Sequence, residues 1–197
     1  MTNKDMIMYM VLENKGTITS EQVSKAGLSR GSLKYLADKG LLIRSARGVY
    51  ILPEIWEDEF FNLQARFKKG IFSQETALFL FGLTDRTPSR YHMTFPLGYN
   101  TTALNSENVS YCRVKKDIYE LGITKAKTPG NNWVKVYGIE RTLCDILKGR
   151  NHTDIQIISD TFKRYAKSSG KNIPLLSEYA KILRVEKKVR SYLEVLL

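Results

Sequence analysis

The stretch Thr19–Leu52 reads TSEQVSKAGLSRGSLKYLADKGLLIRSARGVYIL, and it decides the fold of the first part of the chain. Thr19 can cap a helix, because Gln22 stands three residues later, where the partner in a capping box belongs. The pattern recurs with Ser29 as the cap of a second helix. Gly27 lies between the two and suits the left-handed conformation that ends a helix. The stretch therefore predicts two short helices joined by a glycine turn.

A basic hairpin is predicted directly after these helices. The apolar runs Leu41–Ile43 and Val49–Leu52 flank Arg44–Gly48, a polar segment that contains glycine. Two such runs around a glycine-containing tip are typical of a β-hairpin. An opening helix that ends near Asn14 and a short strand at Thr17–Ile18 complete the pattern. Helix, turn, helix and wing together predict a winged helix-turn-helix domain.

Such a domain places its second helix in the major groove of DNA, with the first residues of that helix nearest the bases. Leu33 and Leu36 are expected to face the core. Arg30 can form two hydrogen bonds with guanine, and Lys34 is better placed for a phosphate. Tyr35 is as suited to packing as to touching DNA, and the arginines of the wing suit phosphate or a minor groove. The predicted DNA-binding residues are Ser29, Arg30, Gly31, Ser32, Lys34, Tyr35, Arg44 and Arg47.

The rest of the chain mixes strand and helix patterns. The predicted strands are Tyr91–Phe95, Val109–Val114, Ile118–Leu121 and Trp133–Tyr137, and the predicted helices are Gln74–Phe81 and those from Ile139 onwards. The fold class is therefore mixed α/β, of the α+β type. We predict a winged helix-turn-helix in residues 1–53 and a connector helix at 54–70. Residues 71–197 would form a C-terminal domain with a small, partly antiparallel sheet packed with helices.

The charge of the chain favours a polyanionic partner. Its 197 residues carry 31 Lys or Arg and 20 Asp or Glu, a net charge of +11. Residues 1–53 hold eight basic and four acidic residues (+4), residues 54–70 three and four (−1), and residues 71–197 twenty and twelve (+8). Such a surplus attracts nucleic acid or an acidic protein.

Basic clusters of the C-terminal domain are candidates for a polyanion-binding surface. A solvated exterior explains any single cluster, but the total of +8 favours a real surface. Arg113 and Lys115 are expected to share the solvent face of a strand, and Lys163 and Lys167 one face of a helix. The candidate residues are Arg113, Lys115, Lys163, Lys167, Lys187 and Lys188.

No pattern for catalysis is present in the sequence. His92 and His152 stand far apart, without Cys, His or carboxylate residues at ligand spacing, and we expect ordinary surface or strand residues. No glycine-rich phosphate loop occurs. Arg141 and Asp145 stand four residues apart on a predicted helix, and we expect a structural ion pair. We therefore predict no enzyme activity, catalytic residue, metal ligand or cofactor.

Cysteine usage and hydropathy bear on the compartment. Cys112 and Cys144 lie in apolar patterns that indicate buried small hydrophobic residues. Nothing resembles a secretion signal, and no apolar run approaches the roughly 20 residues that a membrane span needs. The expectation is a reduced, cytoplasmic protein that does not enter a membrane.

Six segments in order carry a family resemblance: RGVYILP at 47–53, SQETAL at 73–78, GLTD at 82–85, ERTLCDIL at 140–147, YAKIL at 179–183 and YLEVLL at 192–197. With them the chain resembles, over essentially its whole length, the AbiEi antitoxins of bacterial abortive-infection systems, which act in phage defence. The resemblance implies that the C-terminal domain neutralises an AbiEii-type nucleotidyltransferase toxin from the same operon, without needing a stable complex. It also implies that the winged helix represses the protein's own promoter by binding inverted repeats.

Inverted repeats would recruit two copies of a chain that we expect to be a monomer in solution. Two other functions stay open. One is an RNA-binding protein that shields the target of the toxin. The other is a protein-interaction module that holds the toxin directly, a use that small winged helices also have.

Overall fold

The structure, a computed structural model, describes residues 2–149 and 153–196. The chain forms two compact units. The first contains the chain up to Lys68 together with Thr128–Asn132, and the second contains Lys69–Lys127 and the chain from Trp133 onwards. One short segment of the predicted C-terminal domain thus belongs to the first unit. His152, expected to be an ordinary residue, lies outside the described residues.

The first unit contains a winged helix-turn-helix. Its elements are α1 (Asn3–Glu13), β1 (Thr17–Thr19), α2 (Ser20–Lys25), α3 (Gly31–Asp38), β2 (Ile43–Ala46), β3 (Val49–Ile51) and α4 (Glu59–Arg66). The strands form an antiparallel sheet in the order β1–β3–β2, so the predicted short strand pairs with the wing. Apolar side chains fill the core between α1, α2 and α3: Ile7, Val11, Ile18, Val23, Leu33, Leu36 and Leu42.

The capping box at the start of α2 is confirmed. Thr19 Oγ1 accepts a hydrogen bond from the Gln22 amide at 3.2 Å, and Gln22 Oε1 accepts one from the Thr19 amide at 2.7 Å. Both backbone donors would otherwise lack an intrahelical partner, so this pair of residues sets where α2 begins.

The connector helix is shorter than the predicted segment 54–70. Helix α4 begins only after Asp58, whose carboxylate accepts a hydrogen bond from the amide of Phe61 at 3.1 Å. Upstream of this cap the chain turns instead. Ile55 packs on Gly16 so closely that a β-carbon on the glycine would lie 2.6 Å from Ile55 Cγ1. The start of the predicted helix is therefore wrong, because the Asp58 cap and the packing of Ile55 favour a turn.

The second unit mixes helices with a sheet. Its strands are β4 (Ile71–Phe72), β5 (Tyr91–Pro96), β6 (Val109–Val114), β7 (Ile123–Lys127) and β8 (Trp133–Tyr137). Its helices are α5 (Gln74–Leu80), α6 (Lys116–Glu120), α7 (Ile139–Ile146), α8 (Ile155–Lys167), α9 (Ile173–Ile182) and α10 (Glu186–Leu196), besides a 3-10 turn at Thr102–Leu104.

The described strands of this unit pair in the order β6–β5–β4–β8–β7. The β4–β5 and β7–β8 pairs are antiparallel, whereas the β5–β6 and β4–β8 pairs are parallel. Helices α5, α8 and α9 pack against α7, and α10 packs against α8 and α9. The predicted α+β class with a partly antiparallel sheet is confirmed.

One predicted strand, Ile118–Leu121, is wrong, because α6 covers most of it. Side chains from elsewhere in the unit accommodate this helix. Arg141 Nη1 donates to the carbonyl oxygens of Ile118 at 2.8 Å and Leu121 at 3.0 Å. The hydroxyl of Tyr137 donates to the backbone carbonyl oxygen of Tyr119 at 2.8 Å. The carbonyl oxygens at the end of a short helix have no partner within the helix, and these side chains supply one. The tertiary contacts therefore stabilise a helix, although the residue types favour a strand.

The predicted ion pair of α7 is confirmed and is buried. Arg141 Nε lies 2.9 Å from Asp145 Oδ2, and Lys148 Nζ lies 2.7 Å from Asp145 Oδ1. The guanidinium also lies 4.4 Å from the ring centre of Tyr137. A buried charge needs such partners, and this aspartate and arginine have them.

Candidate nucleic-acid interface

Helix α3 turns a polar face to solvent. Leu33 and Leu36 are buried, as predicted, and hold the helix on the core of the first unit. Lys34 and Tyr35 are exposed between them, and Ser32 is half-buried. The helix can therefore present polar side chains to a ligand without giving up any of its core contacts.

The start of α3 differs from the prediction. Arg30, and not Ser29, is the N-cap residue, and it forms no side-chain capping bond. The hydroxyl of Ser29 accepts a hydrogen bond from the amide of Gly31 at 3.2 Å. A helix cap accepts from an amide further along the first turn, so Ser29 as the cap of α3 is wrong. The serine closes a tight local turn instead, and Gly31 leaves the backbone there uncovered.

Arg30 is held against α2. Its Nε donates to Ser24 Oγ at 2.6 Å, and Ser24 Oγ donates to the carbonyl oxygen of Ser20 at 2.9 Å. This chain of hydrogen bonds orients the guanidinium at the exposed start of α3. The terminal amino groups of Arg30 form no hydrogen bond with the described residues, so they can donate to a ligand.

Tyr35 lies between two lysines. Lys4 Nζ, from α1, is 3.5 Å from the centre of the ring, and Lys39 Nζ is 5.9 Å from it. The tyrosine is 41% exposed, so its ring stacks on cations at the surface and does not fill the core. Lys4 was not predicted to belong to the interface. Only the packing of α1 on α3 brings it there, and no spacing in the sequence signals that contact.

The two wing arginines occupy different positions. Arg44 lies within β2, opposite Tyr50 of β3, and not in the tip as predicted. The tip is shorter, because β2 continues to Ala46 and only Arg47 and Gly48 form the turn. Both arginines are exposed, and neither side chain bonds to a described residue.

Hydrogen bonds hold the wing at both ends. The amide of Ser20 donates to the carbonyl oxygen of Gly48 at 2.8 Å, which ties the tip to the start of α2. Within β2, the register of pairing with β3 shifts between Arg44 and Ala46. At this bulge, Ser45 Oγ accepts a hydrogen bond from Asn62 Nδ2 of α4 at 2.7 Å. Such a bulge re-aims neighbouring side chains. The arginines therefore extend from a hairpin whose position is set by α2 and α4.

The acidic residue of α2 is paired with other cations. Glu21 lies 3.0 Å from Lys25 and also contacts Lys68. Hydrogen bonds from Lys68 and then from Lys25 lower the pKa of Glu21 to about 2, so the carboxylate stays charged. Lys25 and Lys68 are not among the predicted DNA-binding residues. Glu21 therefore pairs with none of the predicted basic residues of α3 and of the wing.

Two of the candidate polyanion-binding residues lie at the end of β6. Arg113 is exposed on the strand, but the strand ends at Val114. Lys115 follows as the N-cap residue of α6. The expectation that Arg113 and Lys115 share one strand face is wrong, because the backbone leaves the sheet between them.

The other four candidates lie on α8 and α10. Lys163 and Lys167 are exposed on α8, as predicted, and Lys163 lies 3.7 Å from Asp160. Lys187 is exposed on α10, and Lys188 Nζ donates to the carbonyl oxygen of Leu147 at 2.8 Å. Lys188 thus has a structural role as well. The polyanion-binding surface formed by these six residues stays a prediction.

Within residues 2–149 and 153–196, no group of three or more His, Cys, Asp or Glu is placed to bind a metal ion. Cys144 is buried, as expected, and burial raises the pKa of its thiol to about 12. Cys112 is half-buried, with Sγ 3.2 Å from Thr94 Oγ1. Among the described helices, none combines the length and the apolar character that crossing a membrane requires.

Comparison with known proteins supports the regulatory reading of the first unit. Residues 6–53 match the family described as "Transcriptional regulator, AbiEi antitoxin", which confirms the resemblance for this region and supports a role as an antitoxin and regulator. No curated protein matches the sequence. The fold is similar to that in the crystal structure of RV2827C protein from Mycobacterium tuberculosis, with a TM-score of 0.53 at 15% identity, over 98% of this chain and 81% of that chain.

Proposed function

We propose that this protein is the cytoplasmic antitoxin of a bacterial abortive-infection operon and that it represses its own promoter. The observation that carries the proposal is an exposed basic surface on the first unit, most of which lies within the segment that matches antitoxin regulators. We call it the DNA surface. It comprises Lys4, Arg30, Gly31, Ser32, Lys34, Tyr35, Lys39, Arg44 and Arg47.

The DNA surface has the dimensions and donors that a major groove requires. Eight residues give α3 a length of about 12 Å, close to the width of the groove. Arg30 leads the helix, and its terminal amino groups match the two acceptors of guanine. Gly31 lets the backbone approach the groove, and Lys34 is directed towards a phosphate.

The wing and the lysine pair around Tyr35 add contacts to the DNA backbone. Arg47 stands at the tip, where the turn bonded to Ser20 fixes its position. Lys4 and Lys39 flank the Tyr35 ring and offer two cations for one strand. Two copies of the monomeric chain, one on each half of an inverted repeat, would place their recognition helices about 34 Å apart or a multiple of it.

The antitoxin activity is assigned to the second unit. Its partner is the nucleotidyltransferase toxin of the AbiEii type, neutralised without a lasting complex. In this assignment the enzyme is the toxin, and the protein described here performs no chemistry.

The test compares Arg47→Ala with Lys25→Ala in the full chain. Both residues are exposed cations of the first unit, but Lys25 pairs with Glu21 and lies outside the DNA surface. Arg47→Ala is expected to weaken binding to the promoter fragment and to lower the slope of log K against log salt by about 0.9, the share of one phosphate contact. Lys25→Ala should leave that slope unchanged. Equal salt slopes for the two variants would show that Arg47 does not contact the DNA.

Repression and neutralisation are measured separately in cells, with a promoter reporter and with rescue from the toxin. Arg47→Ala is expected to lose repression and to keep rescue. Stoichiometric co-purification with the toxin, required for rescue, would favour the alternative in which the chain holds the toxin directly. Tighter binding to structured RNA than to the promoter duplex at matched salt would favour the RNA-shielding alternative.

A further inference from the structure

The hairpin of β7 and β8 in the second unit leaves one of its faces to solvent. On this face Lys125 stands opposite Lys135, and Lys127 stands opposite Trp133. All four residues are exposed, whereas Ala126 and its alternating neighbours on β8 are buried on the other side. We call these four residues the hairpin face.

The exposure of Trp133 is not explained by the packing of the fold. The side chain is 60% exposed, although Tyr137, four residues later on the same side of β8, is completely buried. A large aromatic ring gains much from burial, and an exposed one beside cations can serve as a stacking platform. Lys127 Nζ lies 5.5 Å from the ring centre, which places a cation beside the indole and leaves much of the ring open.

Protection of the sheet edge does not explain why all four residues of the hairpin face are exposed. β7 is the edge strand, and lysines on an edge prevent pairing with another chain. Lys125 and Lys127 lie on β7 and can protect this edge. Lys135 and Trp133 lie on β8, which pairs with both β7 and β4, so these two residues have no edge to protect.

The charge on the hairpin has one sign. Ile123–Lys127 and Trp133–Tyr137 contain three lysines and no acidic residue. Lys125 and Lys135 stand directly opposite each other, so two lysines lie side by side on this face. A cationic face with an exposed aromatic ring is the combination with which proteins bind single-stranded nucleic acid, because bases stack on the ring and phosphates meet the cations.

We propose that the hairpin face binds single-stranded nucleic acid. Trp133 stacks on an unpaired base, and Lys125, Lys127 and Lys135 contact the adjoining phosphates. A duplex cannot use this face in the same way, because its bases already stack on each other. The hairpin face shares no residue with the DNA surface and does not depend on the proposed repression of the promoter.

A fluorescence experiment tests the stacking directly. Trp56 and Trp133 are the two tryptophans of the chain, so Trp56→Phe leaves Trp133 as the single indole reporter. This variant is titrated with oligouridine and oligothymidine of about 10 nucleotides, within the range of known single-strand sites, and with a duplex of equal length. Quenching by the single strands and not by the duplex is expected. Absence of quenching by both oligonucleotides, or equal quenching by the duplex, would overturn the proposal.

Affinity measurements use the second tryptophan as a matched control. Trp56 belongs to the first unit, is 92% exposed and has acidic residues beside it in the sequence, Glu54 and Glu57. Trp133→Ala is expected to weaken binding of the oligonucleotide by roughly 5- to 140-fold, the range for loss of one stacked base. Trp56→Ala should leave the affinity unchanged. Equal affinities of the two variants would contradict stacking on Trp133.

Lysine variants keep the test independent of any effect of Trp133→Ala on folding. Lys125 bonds to no described residue, so Lys125→Gln removes a cation and leaves the hairpin contacts in place. It should lower the slope of log K against log salt by about 0.7, as expected for one contact with a single strand. Lys181→Gln, at another exposed position of the second unit, is the control. If the two slopes are equal, Lys125 does not belong to the site.

Two further arms separate the sources of ligand and the two surfaces. Tighter binding of oligouridine assigns the site to RNA, and tighter binding of oligothymidine assigns it to single-stranded DNA. Arg47→Ala should leave oligonucleotide affinity unchanged. If it weakens that affinity as much as Trp133→Ala does, the single strand occupies the DNA surface and the hairpin-face proposal fails, while the proposed repression stands.

Discussion

Helices α3 and α7 have the same length and opposite surroundings. Each has eight residues, and neither has a side-chain cap at its N terminus. α3 buries only Leu33 and Leu36, whereas α7 buries every residue from Arg141 to Ile146. Each helix also has an arginine near its start. The role of an arginine near the start of a helix therefore depends on what covers that helix.

The two arginines distribute their hydrogen bonds accordingly. Arg30 uses Nε to reach Ser24 and keeps its terminal amino groups at the surface. Arg141 directs Nε to Asp145 and Nη1 to two backbone carbonyls, and stacks on a tyrosine ring. A buried guanidinium must meet its donors within the protein, while an exposed one can leave them to water or to a ligand.

The largest expected effect concerns the buried pair. Asp145→Ala would leave Arg141 and Lys148 without their carboxylate, which should lower the free energy of unfolding by about 3–5 kcal/mol. Urea unfolding of the full chain followed by circular dichroism measures this. Asp160→Ala, which removes an exposed partner of Lys163, is the control and should cost less than about 1 kcal/mol. Similar costs for both variants would contradict a structural role specific to the α7 pair.

The next effect concerns the core side of α3. Leu33→Ala should lower the free energy of unfolding by about 2–5 kcal/mol, because the leucine is completely buried and its loss leaves a cavity. Promoter binding should fall with the folded fraction of the first unit. Leu41→Ala removes a half-exposed leucine just after α3 and serves as the control, with a smaller expected cost. A cost below about 1 kcal/mol for Leu33→Ala would mean that α3 does not depend on this contact.

A smaller effect concerns the exposed side of α3. Lys4→Gln removes the ammonium group that lies over Tyr35, a contact worth about 0.5–1 kcal/mol at an exposed site. We expect this small loss of stability together with weaker promoter binding and a lower salt slope, since Lys4 belongs to the DNA surface. Lys15→Gln, an exposed residue beyond the end of α1, is the control. Loss of stability with an unchanged salt slope would limit Lys4 to a structural role.

The smallest expected effect concerns His92, a half-buried residue whose ring Nδ1 is buried. Burial and then the nearby Arg90 lower the pKa of His92 below its usual 6.5. Below about pH 6.5 the unfolded chain therefore binds a proton at His92 more readily than the folded protein does, so stability should fall as the pH drops through this range. His92→Gln should make the free energy of unfolding less steep between about pH 7 and 5.5. Identical pH dependence of the two proteins would show that His92 takes up its proton without opposing the fold.

Local patterns of the sequence predicted much of the first unit. The capping box of Thr19 and Gln22, the turn glycines and the apolar spacing act within a few residues, so they can be recognised without tertiary information. They failed at Ser29 and at the start of α4. There a tight turn at Gly31 and the packing of Ile55 on Gly16 decide between local alternatives of similar energy.

The interface was less predictable than the fold. Five of the basic and aromatic residues in the DNA surface stand in the helix and wing patterns, so they were named from the sequence. Lys4 and Lys39 were missed. The contact of Lys4 with Tyr35 joins two helices that are distant in the chain, and Lys39 lies at the C-cap of α3. The exposure of Trp133 was missed as well. An aromatic residue in a strand pattern is expected in the core, and only the neighbours it has in the folded unit show that it stays outside.

The sequence by itself determined the helix-turn-helix and its wing, the net charge of +11 and the pairing of Arg141 with Asp145, since each depends on residue types at short spacings. Only the tertiary structure decided which charged and aromatic side chains are buried and which are left for a partner. It placed Ile118–Leu121 mostly in a helix, bonded Arg30 to α2 and set Lys127 beside Trp133 on an exposed face. Burial and cross-strand neighbours depend on contacts between distant parts of the chain, and no local pattern records them.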